Sequence, residues 1–127
     1  MSDINSKHNR FVWTDIPVAD LDRACRFYEA VAGVACHRET FEHFEFAVLD
    51  HKDGNGGCLI VKPEDISDKG PLVYLNTDGR IRDAVAQAKA HGGRILQDVH
   101  AIGPHGCRAV LIDSEGNRIA LHSNTDA

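Results

Sequence analysis

Apolar residues recur along this chain with two different periods, and the periods alternate in a fixed order. Phe11 to Ile16 is short and β-prone, and Pro17, which has no N–H to give, is expected to end that ladder. From Asp20, a good helix N-cap, Leu21, Ala24, Cys25, Tyr28 and Val31 follow at helical spacing until Gly33 supplies a stop. Glu39 to Leu49 then reads as a strand-like run through Phe41, Phe44, Phe46 and Val48, with one more short strand near 34–38. Asp53-Gly54-Asn55-Gly56-Gly57 makes a turn before a last strand over Cys58 to Lys62.

The second half repeats this order. Leu72 to Asn76 is a strand, and Ile81, Ala84, Val85 and Ala88 form a helical stripe that ends at Gly92-Gly93. Arg94 to Gln97, Cys107 to Asp113 and Arg118 to Ser123 are strands, the last two joined by the turn Ser114-Glu115-Gly116-Asn117. Pro63 to Pro71, rich in Pro, Asp, Ser and Gly, is the linker. A constant shift of sixty residues places Leu21 on Ile81, Ala24 on Ala84, Cys25 on Val85, Tyr28 on Ala88 and Gly33 on Gly93. It also carries Gly54-Asn55-Gly56 onto Ser114-Glu115-Gly116, and Leu59-Ile60-Val61 onto Ile119-Ala120-Leu121. Agreement of helix stripe, helix stop, turn and last strand without a gap implies two βαβββ modules. The expected architecture is one α+β domain: module one over about 10–62, linker 63–71, module two over about 72–123.

Composition narrows the partners. A chain of 127 residues with 43% hydrophobic residues can bury a core without staples. Nineteen acids against fourteen Lys plus Arg leave a formal charge of -5 and no basic stripe, so neither nucleic acid nor an anionic membrane surface is expected. Met1 to Arg10 lacks the apolar core of a signal peptide, and no apolar run approaches bilayer length, so the expectation is a cytoplasmic protein. Cys25, Cys36, Cys58 and Cys107 form no C-x-x-C pair and read as reduced, mostly buried thiols.

Four segments carry a family resemblance: Asp15-Ile16-Pro17-Val18-Ala19-Asp20-Leu21, Phe27-Tyr28-Glu29 ahead of Gly33, His91-Gly92-Gly93, and Asp113-Ser114-Glu115-Gly116-Asn117-Arg118. In this order and spacing the chain resembles the vicinal oxygen chelate superfamily, which contains glyoxalase I, bleomycin-resistance proteins and extradiol dioxygenases. The resemblance spans nearly the whole chain. It implies paired modules with curled, mixed or antiparallel sheets around a cup-shaped pocket, a helix outside each sheet, and a homodimer. It also implies a divalent metal held in the cup by His, Glu or Gln from the first and last strands of each module.

Aligning those positions by the resemblance gives Trp13, Ile60, Val73 and Ala120. None can ligate a divalent ion through its side chain, and none of their sequence neighbours is His, Glu, Asp or Gln. No metal and no other cofactor is therefore expected, and the chain looks most like a metal-poor, glyoxalase-like branch of the superfamily. Strand alternation adds Phe11 and Asp15 to Trp13, Cys58 and Lys62 to Ile60, Leu75 to Val73, and Arg118 and His122 to Ala120 as side chains sharing the cup. The opposite face, including Val12, Ile16, Leu59, Val61, Leu72, Tyr74, Ile119 and Leu121, suits packing under the helices.

Each cup residue has a chemical and an ordinary reading. His122 is a general acid–base or a hydrogen-bonded rim residue, and Asp15 is its orienting partner or a solvated carboxylate. Lys62 and Arg118 hold an anionic group or lie on the surface. Cys58 is a nucleophile or an inert thiol, and Trp13 stacks on a planar ligand or fills the volume of the lost metal site. The expected function is binding of a small molecule in an apolar cup formed by Trp13, Cys58, Ile60, Lys62, Val73, Leu75, Arg118, Ala120 and His122. The alternative is a metal-independent lyase or isomerase using His122 with Asp15 or Lys62.

Overall fold

The structure is a computed structural model that describes residues 8–127; the first seven positions of the polar N-terminal stretch lie outside the described residues. Module one runs β1 (Trp13–Val18), α1 (Leu21–Ala32), β2 (Cys36–Phe41), β3 (Phe44–Leu49) and β4 (Gly56–Val61). Module two runs β5 (Val73–Asn76), α2 (Ile81–Ala90), β6 (Arg94–Ala101), β7 (Cys107–Ile112) and β8 (Arg118–Ser123). Each module folds its strands into a four-stranded mixed sheet, ordered β1-β4-β3-β2 and β5-β8-β7-β6, with the first and last strands parallel. The α+β fold of two βαβββ modules is present, and the sheets are open rather than strongly curled. No helix among the described residues is long and apolar enough to cross a membrane.

Local chemistry accounts for the elements. The Asp20 side chain accepts from the Arg23 N–H at the start of α1, and Gly33 ends that helix in the left-handed conformation, donating to the Glu29 carbonyl. The α1 stripe of Leu21, Ala24, Cys25, Phe27, Tyr28 and Val31 and the α2 stripe of Ile81, Ala84, Val85 and Ala88 are buried. They share a single apolar cluster with Ile16, Val18, Ala47 and Leu59 of one sheet and Ala109, Leu111, Ile119 and Leu121 of the other. The helices also pack on each other, so the two modules own one core between them.

Three expectations about elements need correction. Pro17 lies inside β1 and does not end it, because β1 is an edge strand whose far side needs no N–H donor. The run from Glu39 to Leu49 is broken at Glu42-His43, where Glu42 takes a positive φ of 56° and turns β2 back along β3. β6 continues four residues past Gln97 to Ala101, with register irregularities on either side of Gln97.

The sixty-residue repeat holds for the helices but not for strand register. Trp13 pairs with Gly56, so an unbroken repeat would pair Val73 with Gly116, yet Val73 pairs with Ile119. An odd offset turns a strand over. Trp13 and Asp15 therefore share the helix-free face with Cys58 and Ile60, whereas Val73 and Leu75 lie with Ile119 and Leu121 on the helix-facing side, Leu75 packing against the core. Tyr74 and Asn76, not Val73 and Leu75, join Ala120 and His122 on the open face of the second sheet.

One polar junction ties module two to the start of α1. Asp113, itself buried, accepts from the backbone N–H groups of Glu115, Gly116 and Asn117 and from the Tyr28 hydroxyl at 2.5 Å. Asn117 donates to the Pro17 carbonyl at 2.7 Å. Glu115 accepts from the Ala19 and Asp20 N–H groups and from two nitrogens of Arg23, at 2.7–3.0 Å. Burial pushes the Glu115 carboxyl up, but Arg23, the Asp20 and Ala19 N–H groups and the Ser114 hydroxyl outweigh it and hold the group at about 2.

Because Glu115 lies near 2 when folded against 4.5 when free, its contribution is complete above pH 4.5 and disappears as pH falls toward 2. Glu115→Gln is expected to lower unfolding free energy at pH 7 by about 2 kcal/mol. Urea titrations at a series of pH values should show the gap between wild type and variant closing below pH 4.5; a gap independent of pH would contradict this account.

Candidate functional site

At the opposite end of the seam between modules, the repeat would build a second copy of this junction. The shifted positions cannot make it: Tyr28 becomes Ala88, Arg23 becomes Asp83, Glu115 corresponds to Asn55, and Asn117 to Gly57. Asn55 instead donates to the Phe11 carbonyl, and Asp83 pairs with Arg80. Any side chain at position 57 would run into the Thr14 carbonyl oxygen, its Cβ only 2.5 Å away, so an asparagine counterpart is sterically barred. What remains at that end is a cleft of about 700 Å³.

Its walls come from both modules. Ile16, Ala32, Val34, Leu49, Val73 and Leu75 give it apolar walls beside Trp13 and Tyr74, while Asp50, His51, Lys52, Asn76, Asp78 and Arg80 add polar and charged groups to the lining. Trp13 is held by a hydrogen bond from its Nε1–H to Asp15 at 3.1 Å and by the His51 ring, edge-on at 5.8 Å. Arg80 does not offer its charge to the cleft: it donates to the Val31 and Ala30 carbonyls at the end of α1 and pairs with Asp83. A cavity of this size with apolar walls and polar groups in its lining has the composition of a small-molecule site.

Of the residues singled out from sequence, Trp13, Val73 and Leu75 meet in this cleft, the latter two from the core side. Cys58, Ile60 and Lys62 lie on the open side of the first sheet, where the Lys62 ammonium sits 5.3 Å from the centre of the Phe44 ring. Arg118, Ala120 and His122 lie on the open side of the second sheet. Of the nine expected ligand positions, only Trp13, Val73 and Leu75 line this cleft. Arg118 donates from Nη2 to the Gly70 carbonyl, and its buried Nε is unpaired.

The expected pair of Asp15 and His122 does not form. Asp15 accepts from Trp13 and from the Cys58 thiol, whereas the His122 Nε2–H donates to the His105 carbonyl at 2.7 Å, leaving Nδ1 as the basic nitrogen. Burial, then the hydrogen bond to Asp15 and its charge, pushes the Cys58 thiol up to about 12, so this sulfur is a poor nucleophile near neutrality. Cys36 is likewise raised to about 12 by burial and by Cys25 beside it.

At the positions that the resemblance assigns to a metal, Trp13, Ile60 and Ala120 bring no donor to the open faces, and Val73 lies on the helix-facing side. Among the described residues no group of three His, Cys, Asp or Glu is placed to hold an ion. These side chains do not fit the family metal.

Residues that the sequence did not mark also belong to the site. Tyr74 and Asn76 were assigned to the wrong side of β5 or passed over, and Arg108 on β7 stood among ordinary strand residues. The signal available was the -Val-Tyr-Leu-Asn- alternation itself, which fits either face equally well.

A family model described as the glyoxalase/bleomycin resistance protein/dioxygenase superfamily matches residues 10–121. A "glyoxylase-like domain-containing protein" of Didymella fabae is 25% identical over 120 residues, spanning 90% of this chain and 93% of that protein. Among solved structures, a glyoxalase/bleomycin resistance protein from Albidiferax ferrireducens superposes with a TM-score of 0.71 at 17% identity, over 91% of this chain and 98% of its own. A glyoxalase-related enzyme from Fulvimarina pelagi gives 0.67 at 18% identity, over 91% and 88%. At these identities the structural likenesses show the fold.

Native protein at pH 7.5 is expected to leave Cys58 unalkylated by iodoacetamide over a time course that labels it fully in urea. Peptide mass spectrometry reads this directly, and rapid native labelling at Cys58 would refute the assigned burial and proton affinity.

Proposed function

The chain belongs to the glyoxalase/bleomycin resistance protein/dioxygenase superfamily, and from that membership we propose that it is a small-molecule-binding member that works without the family metal. The observation that carries this reading is the seam cleft of about 700 Å³, with apolar walls and the fixed ring of Trp13 in its lining. Volume left by a missing polar junction, and not by an ion's coordination shell, suits an organic body. The ligand lies against Trp13, with Val73 and Leu75 behind it.

A lyase or isomerase reading rests on His122, whose Nδ1 is the nitrogen left to take a proton. The Asp15 expected to orient it accepts instead from Trp13 and Cys58, so no acid–base pair forms, which favours binding over chemistry. A second copy of the chain is the partner we propose, supported by the outward-facing Phe41 and Phe44 on the open side of the first sheet, 66% and 39% exposed. Light scattering at micromolar concentration should then give twice the 13.9 kDa of one chain, and a monomer would remove the partner from the proposal.

A thermal-shift screen of mono- and bicyclic aromatic compounds should return stabilising ligands. Trp13→Ala is expected to weaken them by about fivefold or more, since a stacked aromatic contributes roughly 1 kcal/mol beyond its area. Affinities indifferent to Trp13→Ala would move the site elsewhere. His122→Ala should leave binding nearly intact, whereas a turnover loss of about a hundredfold on a screened ligand would establish the enzyme reading instead.

A further inference from the structure

The open face of the second sheet carries a row of polar side chains. The registers of β5, β8, β7 and β6 set Asn76 beside His122, His122 beside Arg108, and Arg108 beside His100, all on one side. The next row is Tyr74, Ala120, Val110 and Gln97. Ala120 contributes only a methyl group, so the surface dips beside Tyr74, and Arg108 reaches diagonally across that dip to donate from Nη1 to the Tyr74 hydroxyl at 2.6 Å. Its Nε–H donates to His100 Nε2 at 3.1 Å, and His100 can accept there because its Nδ1–H is given to the Asp98 carbonyl.

Both partners of Arg108 are uncharged. Arg23, Arg38, Arg80 and Arg82 each face a carboxylate, but among the described residues none pairs with Arg108. The guanidinium is thus half-buried, held in one orientation, and left with its charge unbalanced and N–H groups open. Tyr74 connects this group to the cleft, since it lines the cleft while its hydroxyl binds Arg108. Asn76 does the same for the polar row, lining the cleft beside His122.

We infer that Arg108 anchors the carboxylate of a ligand whose apolar part occupies the seam cleft, so the ligand class is an aromatic or apolar carboxylic acid. This rests on the cleft reading above and sharpens it. A planar fork with open N–H groups matches two carboxylate oxygens, and Asn76 offers an amide donor on the same face. Arg80 cannot take this role because its guanidinium already serves α1 and Asp83, and Lys52, which also lines the cleft, is a single ammonium on an exposed turn rather than a fixed fork.

The test uses two probes of one shape and different charge, 2-naphthoate and 2-naphthamide, titrated calorimetrically into the full chain. Wild type should bind the acid at least about tenfold more tightly than the amide, and less so at high salt. Arg108→Gln should remove that preference while leaving the amide unchanged, Arg108→Lys should keep part of it, and Trp13→Ala should weaken both probes alike. Equal affinity for the two probes, unaffected by Arg108→Gln or Arg108→Lys but weakened by Trp13→Ala, overturns the carboxylate assignment and keeps the cleft. Failure of both probes to bind at millimolar concentration, or binding that ignores Trp13→Ala, overturns the cleft reading and this inference with it.

Discussion

The fold depends on one buried anionic turn. Asp113 and Glu115 stand at the β7–β8 corner, and between them they gather backbone N–H groups from their own turn and from the start of α1, the Tyr28 hydroxyl and the Arg23 guanidinium. A carboxylate enclosed without such partners would be strongly unfavourable, so the turn and α1 have to meet in one geometry. Tyr28 lies fully buried among core residues of both modules, which couples the polar junction to apolar packing. Module two is thereby set on module one at a defined angle, and the single core follows.

The same junction explains why the site is where it is. Two modules related by a repeat have two seam ends that could close in the same way, and here only one carries the side chains to do so. At the other, alanine stands for tyrosine, glycine for asparagine and aspartate for arginine, leaving apolar walls apart from each other. Arg80, at the position equivalent to Asp20, turns away to cap the carbonyl end of α1. The cleft is the cost of asymmetry between the halves, and it opens beside two sheet faces of different chemistry. The first is aromatic and apolar through Trp13, Phe44 and Ile60; the second is polar through His122, Arg108 and His100.

That division bears on what the protein does within its superfamily. The first- and last-strand positions that the resemblance assigns to an ion hold tryptophan, isoleucine, valine and alanine, and the thiol nearest to Trp13 is protonated near neutrality. The proposed role, binding by shape, stacking and charge, uses the side chains that are present there.

Periodicity and punctuation carried most of the architecture. Helix stripes, the Asp20 cap, the Gly33 stop and the glycine-bearing turns are local, so they are legible without knowing what packs on what; the sixty-residue recurrence revealed the two modules, and four motif segments carried the family resemblance. Trp13 was singled out through the family resemblance, and the plain alternation of its strand set it on the face where the structure finds it, lining the cleft. The side of β5 was not. Val73-Tyr74-Leu75-Asn76 alternates apolar with amphipathic residues, and its orientation depends on a three-residue offset in pairing with β8, a contact between segments about forty-five residues apart. Nor could the chain alone show that Glu115 reaches α1 or that Arg108 meets Tyr74, because both pairings join distant segments. Local propensity determined which elements exist; strand register and the burial of Asp113 and Glu115 decided which side chains share a space.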